Sequence, residues 1–197
     1  SALILDDNSE RIYPLQVSSE LDDGGDEDAA TNEKRAFIER EHKSILQNET
    51  RYMCKVQPFK HQLVAWDFAK DKKSAALLME MGTGKTKVAI EDLYYIWKHK
   101  EGEKHLKVLW VCPASLLYNE QEEFSKYYPG SYTIAVVEGL KKKRMKTIES
   151  LTNSAVTYPR ILLINYEAVR SLENELARYN ADVIILDEST KIKNPHA

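Results

Sequence analysis

From residue 57 onward, short apolar runs alternate with stretches whose apolar positions recur at helical spacing. The runs predict strands over 75–79, 107–112, 133–137, 161–165 and 183–187, and the periods between them predict helices over 85–98, 115–128, 140–151 and 167–179. In the first of these helices Ala89, Leu93, Ile96 and Trp97 stand at i, i+4, i+7 and i+8, one face of the helix. Val183-Ile184-Ile185-Leu186 is apolar without alternation, the pattern of a strand covered on both faces. Strands and helices in strict alternation argue for an α/β fold, a parallel sheet with helices on both faces and right-handed crossovers. In such sheets ligands bind at the carboxyl ends of the strands.

The pattern before residue 57 is different. Residues 32–48 read as a charged helix with Phe37, Ile38, Glu41 and Ile45 near one face, and 11–17 as a short extended piece. Between them, Glu20 through Asp28 carries six acidic residues and no basic one, a composition that cannot form a core and reads as a linker or exposed loop. The expected organisation is therefore an N-terminal extension, 1–56, and one α/β lobe, 57–197.

Composition narrows this little further. A chain of 197 residues with 43% hydrophobic content can bury one α/β core and an appendage. No run approaches the ~20 apolar residues of a membrane-spanning helix, so no membrane partner is expected. Cys54 and Cys112 and five scattered histidines form neither a disulfide framework nor a metal-ligand spacing. Together with an N-terminus lacking a basic leader region, they lead to the expectation of an intracellular protein, in cytoplasm or nucleus, a viral protein in a host cell included. The net charge of −3 lies largely in residues 20–28, which leaves a mildly basic remainder compatible with a polyanionic partner.

The candidate chemistry sits at two strand ends. After Ala75-Ala76-Leu77-Leu78 come Met79-Glu80-Met81-Gly82-Thr83-Gly84-Lys85-Thr86 and a helical period. Gly82 and Gly84 let backbone N–H groups approach phosphate oxygens, because no Cβ intervenes and positive φ is open to them. Lys85 then reaches the outer phosphates, the Thr86 hydroxyl ligates Mg²⁺, and the helix adds its positive N-terminal dipole. The strict phosphate-loop pattern has glycine at the position of Met79 and is broken there. About a hundred residues later, the strand 183–187 ends in Asp187 and Glu188. The first carboxylate is placed to hold Mg²⁺, directly or through water, and the second to orient and deprotonate an attacking water. Upstream, Gln62 has the paired donor and acceptor that the edge of an adenine requires. His61 is assigned no chemistry.

With Gln62, Lys85-Thr86 and Asp187-Glu188 in place, the chain resembles the first RecA-like lobe of a superfamily 2 helicase or translocase, of the Swi/Snf-like branch. Glu80-Met81-Gly82-Thr83-Gly84-Lys85-Thr86 is similar to that branch's Walker A loop, and Asp187-Glu188-Ser189-Thr190-Lys191-Ile192-Lys193-Asn194 to its DExx box. Val111-Cys112-Pro113-Ala114-Ser115-Leu116-Leu117, with Asn119 and Glu123, resembles motif Ia, and Leu163-Ile164-Asn165-Tyr166-Glu167 the motif opening a later helix. Ser189-Thr190 departs from the family's usual Ala-His.

The resemblance implies an ATP- and Mg²⁺-binding motor lobe that couples hydrolysis to movement on duplex DNA. Lys85, Asp187 and Glu188 are its expected catalytic residues. Gln62 and Met81 to Thr86 are its nucleotide contacts, and Thr86 and Asp187 its Mg²⁺ ligands. It also implies nucleic-acid contacts from Pro113, Ala114, Ser115, Asn165, Tyr166, Lys191 and Lys193, and a second RecA-like lobe supplying arginine fingers. Such an arginine contributes roughly 10³–10⁵ in rate, so the chain alone is expected to bind nucleotide weakly and turn over hardly at all. Two other readings share these residues: an unwinding RNA or DNA helicase of a neighbouring branch, and a nucleotide-switched scaffold without motor activity.

Overall fold

The computed structural model of the chain describes residues 2–3, 29–48, 53–100, 102 and 105–188. The stretches 11–17 and 20–28, and Ser189, Thr190, Lys191 and Lys193, lie outside the described residues. In chain order the elements are β1 (Ala2–Leu3), α1 (Ala29–Asn48), α2 (Lys60–Ala69), β2 (Ala76–Leu77), α3 (Lys85–Tyr95), β3 (Lys107–Cys112), α4 (Leu117–Tyr127), β4 (Thr133–Val136), α5 (Lys141–Thr152), β5 (Arg160–Asn165), α6 (Tyr166–Val169), α7 (Glu173–Tyr179) and β6 (Val183–Leu186).

The strands form one sheet in the order β2-β1-β6-β3-β5-β4. Four of them, β6-β3-β5-β4, are parallel, as the alternation of runs and periods predicts. The flank is mixed, since β1 lies antiparallel to both β2 and β6. Parallel neighbours cannot be joined by a tight hairpin, so each connection carries a helix, and the helices cover both faces. Val108, Trp110 and Cys112 of β3 pack with α3 and α4, around Leu93, Phe124 and Tyr128. Leu109 and Val111 of the same strand face the other way, onto Ile148 and Leu151 of α5 and Leu172 and Tyr179. A third cluster joins α1 and α2 to β2 and α3: Ile38 and Ile45 are buried with Leu63, Trp66, Leu77 and Val88.

Several boundaries moved for identifiable reasons. The helix expected over 85–98 is α3 to Tyr95 and then a single π turn, Ile96–Lys100. That expected over 115–128 opens with a 3₁₀ turn, Ala114–Leu116, before α4. The segment 167–179 is broken into α6, a 3₁₀ turn at Arg170–Leu172, and α7, which ends on Asn180 in the left-handed region. Of the strand expected over 75–79 only Ala76–Leu77 pairs. Beside it, a groove lined by Leu77, Leu93, Ile96, Ile184 and Leu186 leaves Ile184 half exposed. Arg160, buried at the start of β5, donates to the carbonyls of Leu151 and Thr152 and ties off the C-terminus of α5.

Candidate functional site

The sheet registers bring the site together. Cys112 pairs with Asn165 at the ends of β3 and β5, and Val111 with Leu186 at the end of β6. The residues that follow each strand, Pro113, Tyr166 and Asp187, therefore emerge side by side at the carboxyl edge.

The loop between β2 and α3 reaches this edge from the flank. Gly82 and Gly84 have φ of 77° and 81°, and Gly84 is the residue preceding the first turn of α3. A side chain at either position would be strained, and at Gly84 a Cβ would also collide with Nε2 of Gln62. The Lys85 side chain is folded back, its Nζ donating to the carbonyls of Met79 at 3.1 Å and Glu80 at 2.9 Å. The Thr83 hydroxyl also donates to the Glu80 carbonyl, at 2.7 Å. Lys85 thus holds the loop closed around its own ammonium group. Met81, at the tip, is exposed.

Thr86 and Asp187 meet. Thr86 Oγ1 donates to Asp187 Oδ2 at 3.3 Å across a separation of 101 residues. Asp187 is buried, its Oδ1 accepts the N–H of Glu188 at 2.9 Å, and its own N–H bonds the Val111 carbonyl at 2.8 Å. Glu188 has a positive φ of 49°, which costs a non-glycine residue roughly 1–2 kcal/mol. The Tyr166 hydroxyl donates to the Asp187 carbonyl at 2.7 Å. Burial, and then the charge of Asp187, push the Tyr166 hydroxyl up from its usual value, so it remains a donor.

Gln62 is placed beside the loop, and both ends of its amide are engaged. Its Oε1 accepts the Phe59 N–H at 3.0 Å, capping α2, and its Nε2 donates to the Thr83 carbonyl at 3.0 Å. One N–H and one lone pair remain for any base edge. His61 Nε2 also lies 3.0 Å from the Thr83 carbonyl, and its ring stacks on the exposed ring of Phe59, 5.8 Å between centroids.

The residues assigned to nucleic acid divide. Pro113 is buried while Ala114 and Ser115 are exposed at the strand edge. Asn165 Oδ1 accepts the Ala168 N–H and caps α6, and Tyr166 is tied to Asp187. Lys191 and Lys193 fall outside the described residues.

One buried group was not singled out from sequence. Glu120, in the first turn of α4, is only 1% exposed, and its carboxyl lies against that of Asp187. Burial, and then the charge of Asp187, push its carboxyl up to about 9. The signal was present: Leu117, Glu120 and Phe124 stand at i, i+3 and i+7, so a carboxylate occupies the inward stripe of the helix. The same two causes that act first and last on Cys112, burial and Asp187, with Glu120 between them, push its thiol up to about 12. It is a core residue, not a nucleophile.

Strand order, loop and acidic pair have the layout of a RecA-like lobe. A family model described as SNF2-related domain matches residues 59–197. The chain belongs to that family, the Swi/Snf-like branch of the superfamily 2 helicases. Similar proteins include a DNA repair and recombination protein RAD54-like of Drosophila ananassae, 32% identical over 120 residues, 58% of this chain and 15% of that protein. An uncharacterized ATP-dependent helicase of Mycoplasma genitalium is 30% identical over 174 residues, 87% of this chain and 16% of that protein. Another, of Mycoplasma pneumoniae, is 28% identical over 148 residues, 74% of this chain and 14% of that protein. The chain thus spans a small part, 14–16%, of the length of these relatives.

Proposed function

We propose that the chain is the ATP-binding motor lobe of a DNA-dependent ATPase that moves along duplex DNA. The observation that carries this is the 3.3 Å contact between Thr86 Oγ1 and Asp187 Oδ2, because it joins the phosphate loop to the acidic strand end. In this reading the loop N–H groups from Gly82 to Thr86 and the N-terminus of α3 cradle the phosphates. Lys85 leaves the Met79 and Glu80 carbonyls and pairs with the phosphoryl oxygens. Gln62, held beside the loop, offers its remaining N–H and lone pair to the adenine.

The donors fit Mg²⁺: a hydroxyl and a carboxylate are hard oxygen ligands, and Thr86 belongs to the loop that takes the phosphates. When bound, the ion neutralises charge that builds on the phosphoryl oxygens. Glu188, the second acid of the strand end, orients and deprotonates the water. Tyr166 holds the turn that carries both acids.

The Lys191-Ile192-Lys193-Asn194 run after the acidic pair favours a duplex translocase over an unwinding helicase, and the DNA repair and recombination role of the RAD54-like relative favours DNA over RNA. Contacts from Ala114, Ser115, Lys191 and Lys193 would go to phosphates, which position a protein without reading sequence. A second lobe of the same protein completes the site and supplies arginine. The protein acts inside the cell, where its DNA is.

The test is ATP hydrolysis by the full-length protein with no DNA, single-stranded DNA and duplex DNA, beside Lys85→Ala and Glu188→Gln. Duplex stimulation that both variants abolish is the expected result. Stronger stimulation by single strands favours an unwinding helicase of a neighbouring superfamily 2 branch. Indifference to Glu188→Gln favours the nucleotide-switched scaffold.

A further inference from the structure

Among the described residues β4 ends the sheet: it pairs with β5 on one side, and no strand lies on the other. Thr133 and Val137 donate to the carbonyls of Pro159 and Leu163 at 2.9 and 2.8 Å, so backbone alternation turns the N–H and C=O groups of Ile134 and Val136 outward. All four residues of β4 are only half-buried. Such an edge is a template for one more strand, which its backbone groups can hold whatever the side chains.

A groove runs beside this edge on the α5 face. Thr133 and Ala135 of β4 line it, with Lys142, Lys143 and Lys146 of α5 and Leu140, which is 84% exposed. Lys142 and Lys146 are exposed and stand at i and i+4, on one face of the helix. The acid of α5, Glu149, lines a separate depression with Arg178. Glu138 is already taken up by Lys143 at 2.9 Å and by the Tyr118 hydroxyl, so the groove keeps a positive charge. On the other face of β4, Ile134 and Val136 pack against the apolar cluster of α3 and α4. A strand added here would alternate its side chains between lysines on one face and an apolar layer on the other.

We propose that the β4 edge is a docking site for an extended acidic segment of another protein, which adds to the sheet with carboxylates against Lys142 and Lys146 and apolar side chains beside Ile134 and Val136. A nucleic acid would meet only the lysines, whereas the outward backbone groups and the apolar face suit a polypeptide. A second copy is disfavoured, because two such edges bring like charges together. The contact is small and therefore transient. It uses neither the phosphate loop nor the acidic strand end, and stands whether or not the nucleotide reading does.

The experiment measures binding of a fluorescein-labelled ten-residue peptide of alternating Glu and Val to the full-length protein by fluorescence anisotropy. The parent is compared with Lys142→Glu combined with Lys146→Glu, and with Lys141→Glu, a neighbour outside the groove. Folding of each is checked by thermal unfolding. The double variant should weaken binding about tenfold or more, while Lys141→Glu stays within about twofold of the parent. Two further peptides, N-methylated on every Glu or on every Val, need no variant. An added strand uses the amides of one side only, so one of these peptides should lose binding and the other keep it. Equal binding by the two overturns strand addition, and parental binding by the double variant overturns the groove. Duplex DNA that loses affinity in the double variant, with no peptide bound by the parent, assigns the lysines to nucleic acid and overturns the proposal. A dimer of the parent, seen by light scattering, that the double variant dissociates assigns the edge to a second copy and overturns it too.

Discussion

Two buried charged groups lie on neighbouring helices, and they are built on opposite principles. On α3, Lys87 and Glu91 are one helical turn apart, with Nζ 2.7 Å from Oε1 and side chains only 5% and 0% exposed. The ammonium also lies 5.7 Å from the centre of the Tyr127 ring. Each charge has its opposite beside it, and the pair is closed. On α4, Glu120 faces the acids of the strand end, Asp187 and Glu188. Burial alone therefore does not mark a functional group. Lys87 and Glu91 neutralise each other within α3, whereas Glu120 is a buried carboxyl set against the carboxyl of Asp187. The contrast separates a structural ion pair from a carboxyl that burial and the neighbouring Asp187 keep protonated near neutral pH.

Breaking the closed pair should have the largest effect. Lys87→Met leaves Glu91 buried without its ammonium partner and should destabilise the chain by about 3–5 kcal/mol, measured by urea unfolding. The double change Lys87→Met with Glu91→Leu should recover most of that loss, because well-packed apolar groups replace a buried pair at little cost. A double variant as unstable as the single one would show that the pair is not self-contained.

At Glu120 the sign should be opposite. Its carboxyl is raised to about 9 in the folded chain, while the unfolded chain ionises in the ordinary carboxylate range. Folding near neutral pH must therefore take up a proton, so stability falls as pH rises toward about 9 and is unaffected below the ordinary range. Glu120→Gln in EDTA should be more stable than the parent by about 1–3 kcal/mol at about pH 8, and the gain should shrink toward about pH 5. A gain that is independent of pH would assign it to packing rather than to charge.

Smaller effects are expected further from either group. Tyr166→Phe removes one hydrogen bond to the Asp187 carbonyl and should cost about 0.5–1.5 kcal/mol in urea unfolding. The exposed pair of Lys143 with Glu138, side chains 62% and 38% exposed, should contribute about 0–1 kcal/mol, and Lys143→Ala should be hard to distinguish from the parent. A large loss there would break the contrast between buried and surface charge.

Much of the parallel sheet was legible because its strands read as unbroken apolar runs; β3 and β5, at its centre, are buried on both faces, whereas Ile184 of β6 is half exposed. Arg160–Asn165 and Val183–Leu186 fall within one residue of their expected bounds. The helix α2 was not legible. Gln62, Leu63, Val64, Ala65, Trp66 and Ala69 are all buried, so no polar face sets up a period. The two-residue strand β1 is too short to leave a pattern. At the site, the loop residues and the acidic pair were visible as residue types at a spacing. Their partners were not: Gln62 on Thr83, Lys85 on Met79 and Glu80, and Tyr166 on Asp187 are contacts between segments.

By itself the sequence determined what is local. Apolar runs and helical periods set the parallel strands and several of the helices, and Gly82 and Gly84 permit the positive φ of the loop, because both depend on neighbours a few residues away. Only the tertiary structure decided which charges meet. Thr86 and Asp187 are 101 residues apart and touch because the ends of β2 and β6 face the same edge of one sheet. Glu120 stands beside Asp187 because β3, which leads into α4, pairs with β6 in a register that sets Val111 against Leu186. Strand order and register are choices of the whole sheet, made by the burial of both its faces at once, and no single segment carries them.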